Sequence, residues 1–159
     1  MRAVRIHSHG RPEVLQLDDI PEPVCPKNSV KVKIHATSLN HLDIWIREGI
    51  PGLPIKLPLI SGSDGAGEII EVGAEITDWN VGDEAVIQPG TYCNDCEFCE
   101  SGKENYCFQY GIIGETENGT NCEYFIARPE NIYPKAEHLS WEEAASLQLI
   151  CMTTYQMLV

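Results

Sequence analysis

The chain has 159 residues, 43% of them hydrophobic and 22% charged, which excludes a disordered chain, a collagen and a coiled coil. Lys and Arg number 11 against 24 Asp and Glu, a net charge of −13, so phosphate backbones and anionic lipids are repelled. No Lys/Arg-rich run and no bilayer-length apolar stretch occurs, so neither a nucleic-acid nor a membrane partner is expected. In chain order, residues 2–6 and 13–18 read as short strands joined through Gly10-Arg11-Pro12, and Pro21, Pro23 and Pro26 mark a loop. Val30 to Ala36 alternates with period two. Val30, Val32, Ile34 and Ala36 share one face, while Lys31, Lys33 and His35 share the other, as in a half-buried strand. Residues 40–48 predict a short helix with Asn40 as cap and Gly49 as stop.

Pro51, Pro54 and Pro58 interrupt regular structure, and strands are predicted over 66–72 and 84–87, with turns at Gly73 and Asn80 to Asp83. Residues 90–120 form a long excursion rich in Cys, Gly, Glu and Asn that needs its own reason to be ordered. Residues 122–128 resume as strand. Ser140-Trp141-Glu142-Glu143 is a capping box, predicting one apolar helix that runs through Ala144, Ala145, Leu147 and Ile150. Met157-Leu158-Val159 is apolar and uncapped, so the chain is expected to be the first part of a longer protein. The charged N-terminus lacks the apolar centre of a signal peptide, which predicts a cytoplasmic protein.

Seven cysteines occur, an odd count, and four of them crowd together: Cys93, Cys96, Cys99 and Cys107, spaced C-x2-C-x2-C-x7-C. Four thiolates can surround Zn²⁺ at about 2.3 Å each and leave no open position, so the metal would order the loop and do no chemistry. The competing readings are an iron–sulfur cluster and four unliganded thiols. Bacterial ferredoxins have a last gap of three followed by Pro, whereas this gap is seven and Phe108 follows. Cys25, Cys122 and Cys151 read as small buried hydrophobes. Gly65-Ala66-Gly67 half-matches a dinucleotide-binding turn, but a strand pattern follows it.

The opening Met1 to Arg5, Leu39-Asn40-His41-Leu42-Asp43, Gly62 to Ile69, Glu71-Val72-Gly73, Val81-Gly82-Asp83, the four-cysteine lobe and Glu142 to Ser146 stand in the order of a known family. The whole chain resembles the N-terminal, GroES-like catalytic domain of the medium-chain dehydrogenase/reductase superfamily. The resemblance implies a mainly β (α+β) fold, a GroES-like partly open β-barrel with short helices and a zinc-binding lobe. It implies one domain over 1–159, with the lobe at 90–120 and with 140–159 starting the helix into an absent Rossmann domain. That second domain would carry NADP or NAD.

In zinc-dependent members a Cys-His-x-Asp motif and a Gly-His-Glu motif each supply a catalytic zinc ligand. Here they read Asn40-His41-Leu42-Asp43 and Gly62-Ser63-Asp64, and the third ligand position falls near Leu149. Asn and Ser are poor zinc ligands. This combination is similar to zinc-independent quinone and alkene reductases, although those relatives generally lack the cysteine lobe.

The resemblance therefore implies an NAD(P)H-dependent oxidoreductase that reduces a quinone or conjugated carbonyl, keeps a structural zinc and lacks a catalytic one. Asn40 is the candidate oxyanion donor, His41 the candidate proton relay and Asp43 a further candidate catalytic residue, while Trp45 and Tyr92 are candidate cleft-lining aromatics. The alternatives are a zinc-dependent alcohol dehydrogenase using His41, Asp43 or Asp64 as substitute ligands, and a zinc-stabilised binding module without chemistry. The expected partners are a small carbonyl or quinone and, at full length, further copies in a homo-oligomer. Alone, the chain is expected to be inactive.

Overall fold

The structure is a computed structural model, and residues 1–158 are described. Among the described residues, ten strands and four α-helices follow one another. They are β1 Arg2–Ile6, β2 Leu15–Asp19, β3 Val30–Ser38, α1 His41–Glu48, β4 Leu59–Ile60, β5 Asp64–Val72, β6 Glu84–Ile87, β7 Gly90–Thr91, α2 Glu97–Glu100, β8 Gly111–Ile112, β9 Tyr124–Ala127, β10 Ile132–Pro134, α3 Trp141–Ala145 and α4 Gln148–Leu158. The main sheet has the order β10-β6-β5-β3-β9, a second sheet β2-β1-β4, and β7 pairs with β8. All ladders are antiparallel. Residues just before β9 join the two larger sheets: Ala3 bridges Cys122, Val4 N–H donates to Asn121 O at 2.8 Å, and Glu123 N–H donates to Arg2 O at 3.1 Å. The ladder curls this far without closing, as a partly open barrel.

The alternating pattern of β3 sets the core. Val30 and Val32 are buried beside Ile69, Ala85, Ile87, Ile113 and Phe125. Lys31 breaks the simple in/out alternation. It is buried although charged, with its ammonium on Glu71 at 2.8 Å and on Glu22 at 3.0 Å. The β3–β5 register shifts between Ile34 and Ala36, next to Gly67. A Cβ at Gly67 would run into the Lys33 carbonyl, so Gly65-Ala66-Gly67 serves strand packing inside β5 and makes no phosphate-binding turn.

α1 begins and ends as its sequence predicts. Asn40 is extended at the N-cap, Asp43 reaches back to the Asn40 N–H at 2.7 Å, and Gly49 with φ 91° ends the helix. Ile46 packs with Ile6 and Leu59 in a satellite core.

The single helix expected after Ser140 is two helices. Ser140 caps α3 as predicted, but Ser146 closes it in a tight turn, its N–H donating to Glu143 O at 3.2 Å. α4 then starts with the Leu149 N–H donating to Asp64 Oδ1 at 2.7 Å. The break buries Ala144, Ala145 and Leu149 and leaves Leu147 and Ile150 exposed. Met157 and Leu158 are exposed, and Val159 lies outside the described residues.

The excursion is narrower than 90–120. Ile113 is buried in the main core. Gly119 N–H donates to Ile60 O and Thr120 N–H to Gly62 O, at 2.8 and 2.9 Å. The β7–β8 pair forms a neck, and the four cysteines lie in the segment between them. No described helix is long and apolar enough to cross a membrane.

Candidate functional site

Two clusters of chemistry-bearing side chains stand out, one in the lobe and one where β5 meets α1 and α4. In the lobe, Asn94 takes the left-handed conformation (φ 64°), which an Asn tolerates, and so turns Cys93 and Cys96 toward one point. Gly102 (φ 70°) turns the chain back so that Cys107 can reach them. The sulfurs of Cys93, Cys96, Cys99 and Cys107 all lie within 4.8 Å of one another. The Sγ–Sγ separations of Cys93–Cys99, Cys96–Cys99 and Cys93–Cys107 are 3.9, 3.6 and 3.5 Å. A tetrahedron with Zn–S bonds of about 2.3 Å has edges of about 3.8 Å, so the donor set fits that ion.

Backbone N–H groups of Cys93 and Gln109 point at the Cys107 sulfur, at 3.4 and 3.3 Å, as they would to support a thiolate. The Cys99 N–H lowers the Cys96 thiol to about 6, while a hydrogen bond with Asp95 raises Cys93. Among the described residues this quartet is the group of His, Cys, Asp and Glu donors close enough to hold a metal ion.

At the second cluster the structure brings Asn40, Asp43, Asp64 and Leu149 together. Asn40 Nδ2 donates to Asp64 Oδ2 at 2.9 Å, and the Asp64 carboxylate also accepts from Ser38 Oγ and the Leu149 N–H. That contact fixes the amide orientation, since a carboxylate can only accept. One Nδ2 hydrogen of Asn40 remains for another partner, while its side-chain oxygen faces the Asp43 N–H in the capping box. Asp43 is half-buried, with Oδ2 on the Asn40 N–H and Oδ1 on the Gly62 N–H at 3.0 Å. Burial raises its carboxyl above the ordinary range, partly offset by the Asn40 and Gly62 N–H groups.

His41 is exposed and meets the Trp45 ring edge-on, with centroids 4.8 Å apart. Asn40, His41 and Asp43 line a cleft of about 610 Å³ with Leu39, Ile44 and Asn121. A second cleft, also about 610 Å³, lies between the lobe and α4 and is lined by Tyr92, Tyr110, Leu149 and Met152. Of the two aromatics expected at a cleft, Tyr92 lines this one, while Trp45 lies at a smaller depression with Gly49 and Pro51.

Among the remaining cysteines, Cys122 is largely buried and its thiol is pushed up to about 12 by desolvation. Cys25 is half-buried, and Cys151 is exposed, contrary to the buried role expected of it, because α4 turns that side to solvent. Sequence reasoning missed Ser38 and Thr120, whose hydroxyls bond the Asp64 carboxylate and its carbonyl at 2.9 and 2.6 Å. They lie 26 and 56 residues from Asp64, and no local pattern links them.

Residues 26–137 match the family model "Alcohol dehydrogenase GroES-like domain". An alcohol dehydrogenase of Schizosaccharomyces pombe is 32% identical over 157 residues, covering 98% of this chain and 45% of that protein. A crotonyl-CoA carboxylase/reductase of Cereibacter sphaeroides is 33% identical, covering 98% of this chain and 38% of that protein. The crystal structure of an NAD-dependent alcohol dehydrogenase superposes with a TM-score of 0.94 at 43% identity, over 100% of this chain and 46% of that one. The chain thus spans less than half the length of these relatives. Matched over most of its length by the family model and over all of it by the superposed structure, the chain belongs to the alcohol dehydrogenase GroES-like domain family, as an N-terminal domain of the medium-chain dehydrogenase/reductase superfamily.

Proposed function

We propose that this chain is the substrate-side domain of a cytoplasmic, homo-oligomeric NAD(P)H-dependent reductase of quinones or conjugated carbonyls. In this reading it carries a structural zinc in the lobe and no zinc at the hydride-transfer site. One observation carries the proposal: the positions that the family resemblance assigns to the catalytic ligands hold Asn40 and Ser63, with the third falling near Leu149, an amide, a hydroxyl and an aliphatic group. None offers the thiolate or imidazole that zinc prefers. The relative named for crotonyl-CoA, a conjugated acyl thioester, supports the substrate class.

A bound nicotinamide supplies the hydride. The residues of this chain then handle the charge that appears on the substrate oxygen. The Asn40 N–H left free by Asp64 donates to that oxygen. Exposed His41 exchanges a proton between solvent and the cleft. Asp43 holds the Asn40 backbone in place. The lobe thiolates Cys93, Cys96, Cys99 and Cys107 would hold the structural ion.

A second reading, an NAD-dependent alcohol dehydrogenase, is favoured by the names of two relatives. It requires a second zinc on substitute ligands such as His41, Asp43 or Asp64, yet both Asp43 oxygens already accept backbone N–H groups. Elemental analysis of the metal-replete complete protein separates the two. One zinc per chain, with NADPH oxidation driven by benzoquinone or an enone, is expected. Two tightly held zinc ions with NAD⁺-dependent alcohol oxidation would overturn the proposal.

A further inference from the structure

Asp64 opens β5 as a fully buried carboxylate, and both its oxygens are occupied. Oδ1 accepts the N–H of Leu149, the second residue of α4, at 2.7 Å. Oδ2 accepts Asn40 Nδ2 and Ser38 Oγ, each at 2.9 Å. Such a group has several acceptor sites and no donor, whereas an amide of the same shape would turn an NH₂ toward at least one of these donors. The arrangement therefore specifies a carboxylate here. Its three donors come from β3, from the start of α1 and from α4, segments 26, 24 and 85 residues away in sequence.

Asn40 is held twice. Its backbone N–H is fixed by Asp43, which also holds Gly62, two residues before Asp64. Its side chain is fixed by Asp64. We infer that Asp64 is a positioning residue, which sets the orientation of the Asn40 amide and couples it to the first turn of α4. The inference rests on the reading of Asn40 as the group that meets the substrate oxygen. It adds that Asn40 is aimed only while α4 is seated, because the same carboxylate caps the helix and holds the amide.

Steady-state kinetics of the complete protein, with NADPH and benzoquinone, test this through a double-mutant cycle of Asp64→Asn and Asn40→Ala. Each single change is expected to lower kcat about 100-fold, the scale of a misaimed group, while KM stays within about threefold. The double variant should be no slower than the slower single one, because Asp64 acts through Asn40. Multiplied losses, or an unchanged kcat in Asp64→Asn, would overturn the inference.

If Asn40→Ala leaves kcat unchanged, the reading of Asn40 fails, and the positioning claim is then read by nitrogen-15 NMR. Asp64→Asn should shift the Asn40 side-chain amide and the Leu149 N–H together while the β-core resonances stay. An unmoved Asn40 amide would overturn it. Should Asp64→Asn not fold, Ser38→Ala removes one donor more gently and should lower kcat and move the same amide in the same direction. No change in either would again overturn the inference.

Discussion

Asp43 shows how one side chain carries opposing demands. Its two oxygens satisfy two backbone N–H groups, yet half-burial beside Asp64 makes its charge costly. Burial prevails, so its folded pKa lies above the ordinary 3.8. Its contribution to stability is then complete below that value and is lost as pH rises through the raised one. Glu123 and Glu143 behave oppositely. The backbone N–H groups of Arg2 and Ser140 lower them, so their contribution is present above 4.5 and is lost as pH falls through the lowered values. Carbon-13 titration of the carboxyls should show Asp43 with a midpoint above 3.8 and both glutamates below 4.5, and the opposite order would refute this account.

Asn131 carries a purely structural load. It is buried, donates from Nδ2 to Gln88 O and Gly90 O at 2.9 and 2.7 Å, and accepts from Arg128 Nε at 3.0 Å. Asn131→Ala strands buried carbonyls at the start of the neck and should cost about 1–3 kcal/mol in urea unfolding. A loss below about 0.5 kcal/mol would mean that water replaces the amide there.

At the scale of elements, the lobe and the barrel have separate supports. Between β7 and β8 the chain has only two short helical turns, α2 and a 3-10 turn at Glu104–Tyr106, and its aromatics Tyr106, Phe108 and Tyr110 are exposed, the first two against Phe98. That is too little apolar burial to order the segment, so the thiolate quartet must do it. Cys96→Ser should therefore abolish zinc retention and remove hydrogen-exchange protection over 92–110. Protection at Ile113 and Thr120 should persist, because they belong to the barrel. The main unfolding transition should move by only about 2–4 °C. Collapse of the whole chain would show the lobe to be part of the main cooperative unit.

α3 is tied down by different means. Trp141 stacks on His35, with centroids 4.6 Å apart, and Lys135 Nζ sits 5.0 Å from the centre of the Trp141 ring. Period two along β3 puts His35 on the face opposite Val32 and Ile34, where it meets Trp141.

For the whole molecule, the absence of a phosphate cradle among the described residues has a direct consequence. Pyrophosphate binding needs a strand, a Gly-rich turn and a helix N-terminus aimed at the anion. The Gly65-Ala66-Gly67 run is buried inside β5, and the net charge of −13 opposes a phosphorylated ligand. Titration calorimetry of this chain alone should give an NADPH Kd weaker than about 1 mM, with no turnover of benzoquinone. Micromolar binding would mean that residues of this domain hold the cofactor unaided.

The sequence by itself determined the pieces whose causes are local. The cysteine spacing marked the metal-capable quartet, the capping box marked the start of α3, Gly49 marked the end of α1, and the alternation of Val30, Val32 and Ile34 marked an interior strand of the main sheet. The order of short motifs also carried the family. Only the tertiary structure decided that Ile113 joins the core and that Gly119 and Thr120 bond to the barrel, that the last helical stretch is two helices, and that Asp64 joins Ser38, Asn40 and Leu149. The physical reason is the same in each case. A buried polar group must find partners wherever the chain brings them, and a donor 85 residues away leaves no trace in local periodicity.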